Sequence, residues 1–479
     1  MKNLLKIFFL GGLFFLQSNQ IISAESLKIN LDDAINFALK NNRTIEQSED
    51  DREAARWNLS AVRRSFGPTL NWQSSANKIG GRFYNSYRER RSIYDHLPAD
   101  EKSLYNIADF PKYESENTNS ISLSIPIYTG GNLESQKKSA EYNLNSADLI
   151  LENTRQEVKL QTTQAFYQIL QYKDLMNVRQ EEMKNLSEHL ETVKIQYEVG
   201  TVAMSDVLAT NVQLANSQQN YNSAQVNYEN AVATLNNLVG LPVDTILVID
   251  DELKYTAFNE DENYCLEYAL SHRPDGIAAD FAVKSSEASV NRAKASARPN
   301  ISAVASGSIT GEGAFKADHS NGNERWSAGL QMSWNIFDNN VTSAQVNQAK
   351  ILQKKAESQA KQQIEKIRLE VHNAYTALRI SEKNVKISAE TIKQAQEQFL
   401  IAKVRYEEGV DTNLNVMDAQ EKLTQARTNY FSALYSYTTS KAQLEKAMGI
   451  PIEIDAEIYK KAVDEGKISK KALEISKVE

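Results

Sequence analysis

The strongest constraint on this chain is that it matches itself. At an offset of 209 residues, Tyr197-Glu198-Val199-Gly200 falls on Tyr406-Glu407-Glu408-Gly409. Without a gap, Asn220-Tyr221 then meets Asn429-Tyr430, Ser223-Ala224 meets Ser432-Ala433, and Gly240-Leu241-Pro242 meets Gly449-Ile450-Pro451. Upstream the offset is 231, with Ala38-Leu39 on Ala269-Leu270 and Pro68 on Pro299; the difference of 22 residues is an insertion in the first copy between Pro68 and Ser124. The chain is a duplicated unit, so any architecture read in one copy is expected in the other.

Each copy has the same internal plan. Residues 133–199, 201–239, 341–408 and 410–448 contain neither Gly nor Pro. Rich in Ala, Gln, Leu, Lys and Glu, they carry nothing that interrupts a helical hydrogen-bond ladder. Apolar residues recur every seven positions at Ile169, Met176, Met183, Leu190 and Tyr197, and again at Leu378, Val385, Ile392, Phe399 and Tyr406. A heptad seam predicts lateral packing on a neighbouring helix rather than burial in a round core. Helix 133–199 would extend ~100 Å. Gly200 and Gly409 then reverse the chain, giving one very long helical hairpin per copy.

Strand signals precede each hairpin. Leu70 and Trp72 alternate with Asn71, Gln73 and Ser75, and Ile121, Leu123, Ile125 and Ile127 with Ser120, Ser122, Ser124 and Pro126. In the second copy Ile301, Ala303 and Ala305 alternate with Ser302 and Ser306, and Leu330, Met332, Trp334 and Ile336 with Gln331, Ser333 and Asn335. Such alternation marks a sheet that is apolar on one face and wet on the other.

Lys2 and Lys6, the apolar stretch Leu4 to Leu16, and Ile22-Ser23-Ala24 before Glu25 read as a secretory signal over residues 1–24. Its removal takes away two lysines and no acids, so the formal charge of −8 becomes −10. No later stretch is apolar over the ~18 residues that a spanning helix needs. An exported chain of this kind is periplasmic, secreted, or inserted in an outer membrane as strands. Four strands cannot close a membrane barrel, because the smallest have about 8. Membrane insertion therefore requires strands pooled from several chains, a dimer with 8 or a trimer with 12. The acidic balance argues against a nucleic-acid partner. One cysteine, Cys265, excludes a disulfide framework, and five scattered histidines (His96, His189, His272, His319, His372) show no metal-ligand spacing. No phosphate-binding loop or nucleophile–base pairing points to an enzyme, and no cofactor is expected.

The order of elements, the duplication and the tip sequences Gly200-Thr201…Asp206-Val207-Leu208 and Gly409…Val416-Met417-Asp418-Ala419-Gln420 resemble the TolC-type outer-membrane efflux family. So does the opening Leu31-Asp32-Asp33-Ala34-Ile35…Ala38-Leu39-Lys40-Asn41-Asn42. The likeness runs from about residue 30 to 451. It implies an α+β membrane protein of repeats 25–250 and 251–451 with a periplasmic extension over 452–479. Long antiparallel helical hairpins would form a periplasmic α-barrel, and four strands per chain a 12-stranded barrel in a homotrimer. The family consists of passive ducts in the outer membrane, docking onto a periplasmic adaptor and an inner-membrane transporter of the RND or ABC type. Small-molecule efflux is the leading expectation and type I protein secretion the second. A periplasmic coiled-coil scaffold with a soluble sheet is the rival from another class.

The resemblance also singles out residues. Asp418 matches a position where the family turns a carboxylate into the tunnel, which three chains would make a ring that attracts cations. The alternative is a surface Asp near a helix N-terminus. The family's second carboxylate, three residues earlier, is Asn415 here. Asp206, the first-copy equivalent of Asn415, either completes the gate or caps the helix starting near Met204. Val199, Gly200, Thr201, Gly409 and Val410 are the candidate adaptor-docking tips. The insertion around Arg82 to Asn117, with Arg88-Glu89-Arg90-Arg91 amid Tyr84, Tyr87 and Tyr94, is expected as an extracellular loop, facing lipopolysaccharide phosphates or simply solvated. Cys265 is expected to be a small packing residue.

Overall fold

The computed structural model describes residues 27–78, 80–104, 115–312 and 324–452. The expected signal at 1–24 and nearly all of the expected extension at 452–479 lie outside them. In chain order the helices are α1 (Leu31–Asn41), α2 (Arg43–Arg64), α3 (Arg82–Asp95), α4 (Ala99–Lys102), α5 (Asn132–Glu198), α6 (Met204–Leu238), α7 (Glu262–His272), α8 (Pro274–Ala295), α9 (Val341–Glu407) and α10 (Asn413–Met448). The strands are β1 (Leu27–Lys28), β2 (Thr69–Lys78), β3 (Ser115–Tyr128), β4 (Leu247–Val248), β5 (Asn300–Glu312) and β6 (Glu324–Ser333). α5 and α9 are each 67 residues long. Their ends fall where the first Gly after each unbroken run stands. Among the described residues no helix is long and apolar enough to cross a membrane.

The chain divides into two compact units, each drawing on both copies of the repeat. One comprises residues 27–47, 154–269 and 368–452 of the described chain. Here α1 opens with a capping box in which Asn30 accepts from Asp33 N–H at 2.8 Å. Its far end meets α6, where Asn42 Nδ2 donates to Leu238 O at 3.0 Å. The connection after β4 is strapped across α9 and α10. Arg379 donates to the carbonyls of Phe258 and Glu260, both at 2.8 Å, and the fully buried Tyr437 donates its hydroxyl to Thr256 O. Cys265 is fully buried on α7, and burial pushes its thiol up to about 11, an unreactive packing residue.

The other unit comprises 48–153 and 270–367. α2 is tied to the first half of α5 by the pairs Arg52–Asp148 and Arg63–Glu141. Ser139 and Ser285 hydroxyls bond α5 to α8 at 2.9 Å. The unit carries one antiparallel sheet in the order β2-β3-β5-β6. Its register aligns Leu70 with Leu123, Trp72 with Ile121, Ile121 with Gly307, and Gly307 with Trp326; Ala303 pairs with both Ile125 and Leu330. Directly opposed residues share a face, so these residues form one continuous apolar surface across all four strands. It is left open in the single chain: Leu70, Trp72, Trp326 and Leu330 are each more than 70% exposed. The other face carries Asn71, Gln73, Ser122, Ser306 and Ser327, with the Ser306 and Ser327 hydroxyls 3.0 Å apart.

The structure corrects the sequence reading at four points. Trp334 and Ile336 lie beyond β6, which ends at Ser333, and Trp334 Nε1 instead donates to Ala297 O at 3.1 Å. The insertion is not merely a loop, because it holds α3 and α4 and its last residues belong to β3. The first heptad seam fails at its end: Ile169 and Leu190 are buried, but Tyr197 is 43% exposed and Val193 takes its place. Tyr406, its second-copy equivalent after the same four heptads, is only 3% exposed, so the difference lies in the surfaces the two helices pack against and not in the repeat itself. Asp206 does not cap α6, as set out below.

Candidate functional site

Both hairpin reversals are built the same way. At the end of α5, Gly200 N–H bonds to Tyr197 O at 3.0 Å and Thr201 N–H to Gln196 O at 2.9 Å, with Gly200 at φ +79°. At the end of α9, Gly409 N–H bonds to Tyr406 O at 3.0 Å and Val410 N–H to Arg405 O at 2.9 Å, with Gly409 at φ +73°. This is the Schellman pattern, which satisfies the last carbonyls of a helix through a left-handed residue. A Cβ on either glycine would meet nothing within 4 Å, so backbone conformation, not space, calls for glycine there. The reversal leaves Val199 and Val410 69% and 65% exposed. Thr201 is exposed as well, its hydroxyl returned to Gln196 O at 2.9 Å.

Behind these turns, α10 begins inside a polar cluster that joins three helices. Asn413, its first residue, is buried. Its Nδ2 donates to Thr210 Oγ1 on α6 at 3.0 Å and to the Asp206 carbonyl at 3.3 Å. Its Oδ1 lies 2.7 Å from Nε2 of His189 on α5. Because Asn413 Oδ1 can only accept, His189 must carry its proton on Nε2. The imidazole packs edge-on against Tyr406, ring centroids 5.0 Å apart. Burial lowers the His189 pKa, against the opposing effect of the Asn413 bond. Around the cluster, Val193, Ala402, Tyr406, Val416 and Ala419 form a buried apolar core, flanked by Val202, Val207 and Phe399.

The three gate candidates fall into three separate contacts. Asp206 lies in the first turn of α6, whose N-cap is Ala203 without a side-chain bond. Its carbonyl receives Asn413 and, at 2.8 Å, Thr210 Oγ1. Asn415 is exposed and donates to Asp411 Oδ1. Asp411 also receives Thr412 N–H at 2.9 Å and sits 3.2 Å from Arg405 Nε. These bonds, that from Asn415 foremost, hold the Asp411 carboxyl below the usual carboxylate range. Asp418 is exposed, and Lys422 Nζ stands 2.7 Å from its Oδ2. His189, Asp411, Asn413 and Lys422 were not singled out by sequence. Only Lys422 offered a local signal there, as a base four residues after an acid on a helix. Among the described residues no group of three or more His, Cys, Asp or Glu could hold a metal ion.

Comparison with known proteins places this geometry. The "Probable efflux pump outer membrane protein TtgC" of Pseudomonas putida is 25% identical over 276 residues, 57% of this chain and 57% of that protein. The match thus spans little more than half of that relative's length. Outer membrane protein TolC of Escherichia coli is 22% identical over 466 residues, 95% of this chain and 88% of that protein. The crystal structure of the CmeC outer membrane channel of Campylobacter jejuni superposes with a TM-score of 0.72 at 18% identity, covering 92% of this chain and 90% of that one. The profile of the outer membrane efflux proteins matches residues 34–241 and 265–450, one segment for each copy of the repeat. The chain belongs to the outer membrane efflux protein family.

Proposed function

We propose that this protein is the passive outer-membrane exit duct of a tripartite export system, working as a homotrimer. The observation that carries the reading is the β2-β3-β5-β6 sheet, with a continuous exposed apolar face and, among the described residues, one neighbour only for each of β2 and β6. Its strands of 10 to 14 residues reach ~34–48 Å, enough to cross a hydrocarbon core of ~30 Å. In lipid the free edges of β2 and β6 must find partners. Three chains joined edge to edge give a closed barrel of 12 strands, apolar outside and polar within. The helices α5, α6, α9 and α10 supply the periplasmic tunnel. The tips at Val199, Gly200, Thr201, Gly409 and Val410 receive a periplasmic adaptor, and an inner-membrane transporter of the RND or ABC type supplies the energy. Asp418, with Asn415 and Asp206 nearby in sequence register, forms the periplasmic constriction. The cargo is small molecules, by analogy with the toluene efflux pump outer membrane protein TtgC of another Pseudomonas putida strain, 24% identical over 276 residues.

Negative-stain electron microscopy of the detergent-extracted protein tests this reading. Cylinders longer than ~100 Å, the length of a 67-residue helix, with threefold end views are expected. Twofold or irregular short particles would overturn it.

A further inference from the structure

The residue one turn beyond Asp418 changes what its charge can do. Lys422 Nζ lies 2.7 Å from Asp418 Oδ2, and the two side chains are 54% and 52% exposed. Four residues on an α-helix are a rotation of ~40° and a rise of ~6 Å. Any space that Asp418 faces is therefore faced by Lys422 as well, one turn further from the tip. Exposed residues near that line include Leu414, Asn415, Gln425, Asn429 and Ser436, all uncharged. Glu421 is also exposed but lies ~60° round the helix on the opposite side of Asp418. The first copy has no such pair: the residues equivalent to Asp418 and Lys422 are Ala209 and Gln213.

We propose that Lys422 is a specificity-determining residue of the duct, a built-in counter-ion that pairs with each Asp418 carboxylate and leaves the constriction open to anionic as well as cationic solutes. The proposal rests on the reading of Asp418 as a pore-facing carboxylate. In a threefold assembly the pair forms two stacked rings of opposite sign, three carboxylates and three ammonium groups. An exposed i,i+4 pair is weak in water and opens readily, so it screens charge without plugging the passage. For a permeating ion ~6 Å from one ammonium group, the local concentration of a monovalent cation falls about threefold in unscreened water, and about twofold at 0.1 M salt. An anion is enriched by a similar factor, so one such charge changes the cation-to-anion ratio about fourfold at 0.1 M salt.

Single-channel recording of the purified full-length protein in planar bilayers tests this, reading the K⁺ over Cl⁻ permeability ratio and the concentration of La³⁺ that halves the current. Lys422→Gln should raise the permeability ratio about fourfold and make La³⁺ block at correspondingly lower concentration. Lys422→Arg, which keeps the charge, should leave both near the wild-type values. Asp418→Ala should shift selectivity the other way, toward anions. If Lys422→Gln leaves the ratio within twofold of wild type while Asp418→Ala changes it, the counter-ion role is overturned and the carboxylate constriction stands. If neither substitution changes selectivity or block, the placement of Asp418 in the pore falls together with the role of Lys422.

Discussion

Replacing Asn413 by Ala should loosen the start of α10 far more than an exposed substitution on the same helix. Asn413 is 6% exposed and bonds to His189 Nε2 at 2.7 Å, Thr210 Oγ1 at 3.0 Å and Asp206 O at 3.3 Å. Thr210 and the Asp206 carbonyl keep their mutual bond at 2.8 Å when Asn413 is truncated, so they lose little. His189, 8% exposed, is left with a buried Nε2–H facing a small void. One unsatisfied buried donor costs ~1–3 kcal/mol, and the lost net hydrogen bonds add ~1 kcal/mol. The sum of ~2–4 kcal/mol corresponds to opening ~30- to ~900-fold more often. Hydrogen exchange of the amides of residues 417–424 reads this directly when reclosing outpaces exchange. Asn429→Ala is the control: its side chain is exposed and receives one bond, from Gln425 at 2.7 Å. Exchange within threefold of wild type in Asn413→Ala would refute the reasoning, because the cluster would then contribute no net stability at the tip.

The same cluster should be sensitive to acid. Burial holds the native His189 pKa below its ordinary value of about 6.5, so below that pH the opened tip takes up a proton that the packed tip does not. The stability it contributes is present above about pH 6.5 and is lost as the pH falls. Exchange at 417–424, corrected for intrinsic rate, should accelerate between pH 7 and 5, and His189→Gln should remove that acceleration; of the charged groups facing His189, Lys403 lowers its pKa and Glu407 raises it. At the turns, Gly200→Ala and Gly409→Ala should each destabilise the hairpin end by ~1–2 kcal/mol through left-handed strain alone, and Asn at either position by less. Exchange of the adjoining helix ends measures it, and equal effects of Ala and Asn would contradict the assignment.

The sequence made the architecture readable because the architecture is set by local rules. The runs without Gly or Pro predict α5, α6, α9 and α10 to within a few residues, since helix ends fall where the first left-handed residue is needed. Period-two alternation predicts the four strands and which residues share a face. The errors come from packing that acts at a distance. Tyr197 and Tyr406 are equivalent residues in the repeat, yet one is 43% exposed and the other 3%. Each helix chooses its neighbour by its own neighbour's surface, which a seven-residue count along one strand of sequence does not contain. The contacts of the candidate site are hidden for the same reason. His189 and Asn413 are 224 residues apart, and nothing near either one names the other.

What the two copies share and what they do not share separates architecture from chemistry. The turn glycines, the tyrosine before each and the bond pattern are common to both, because a helix must end in the same way whichever copy it belongs to. Several of the charged and buried polar groups around the turns are not. Asp411, Asn413, Asp418 and Lys422 stand where the first copy has Val202, Met204, Ala209 and Gln213. Backbone geometry is satisfied twice, so it leaves side chains of one copy free to differ. The second copy uses that freedom to gather the ion pairs Arg405–Asp411 and Lys422–Asp418 and the amide that reaches His189. In a threefold assembly this would give six tips, three of which carry these ion pairs. A duct whose constriction must be tuned without disturbing its walls needs such a division, and a duplicated chain supplies it from one sequence. The measured selectivity should accordingly follow substitutions at Asp418 and Lys422 and ignore those at their α6 equivalents Ala209 and Gln213.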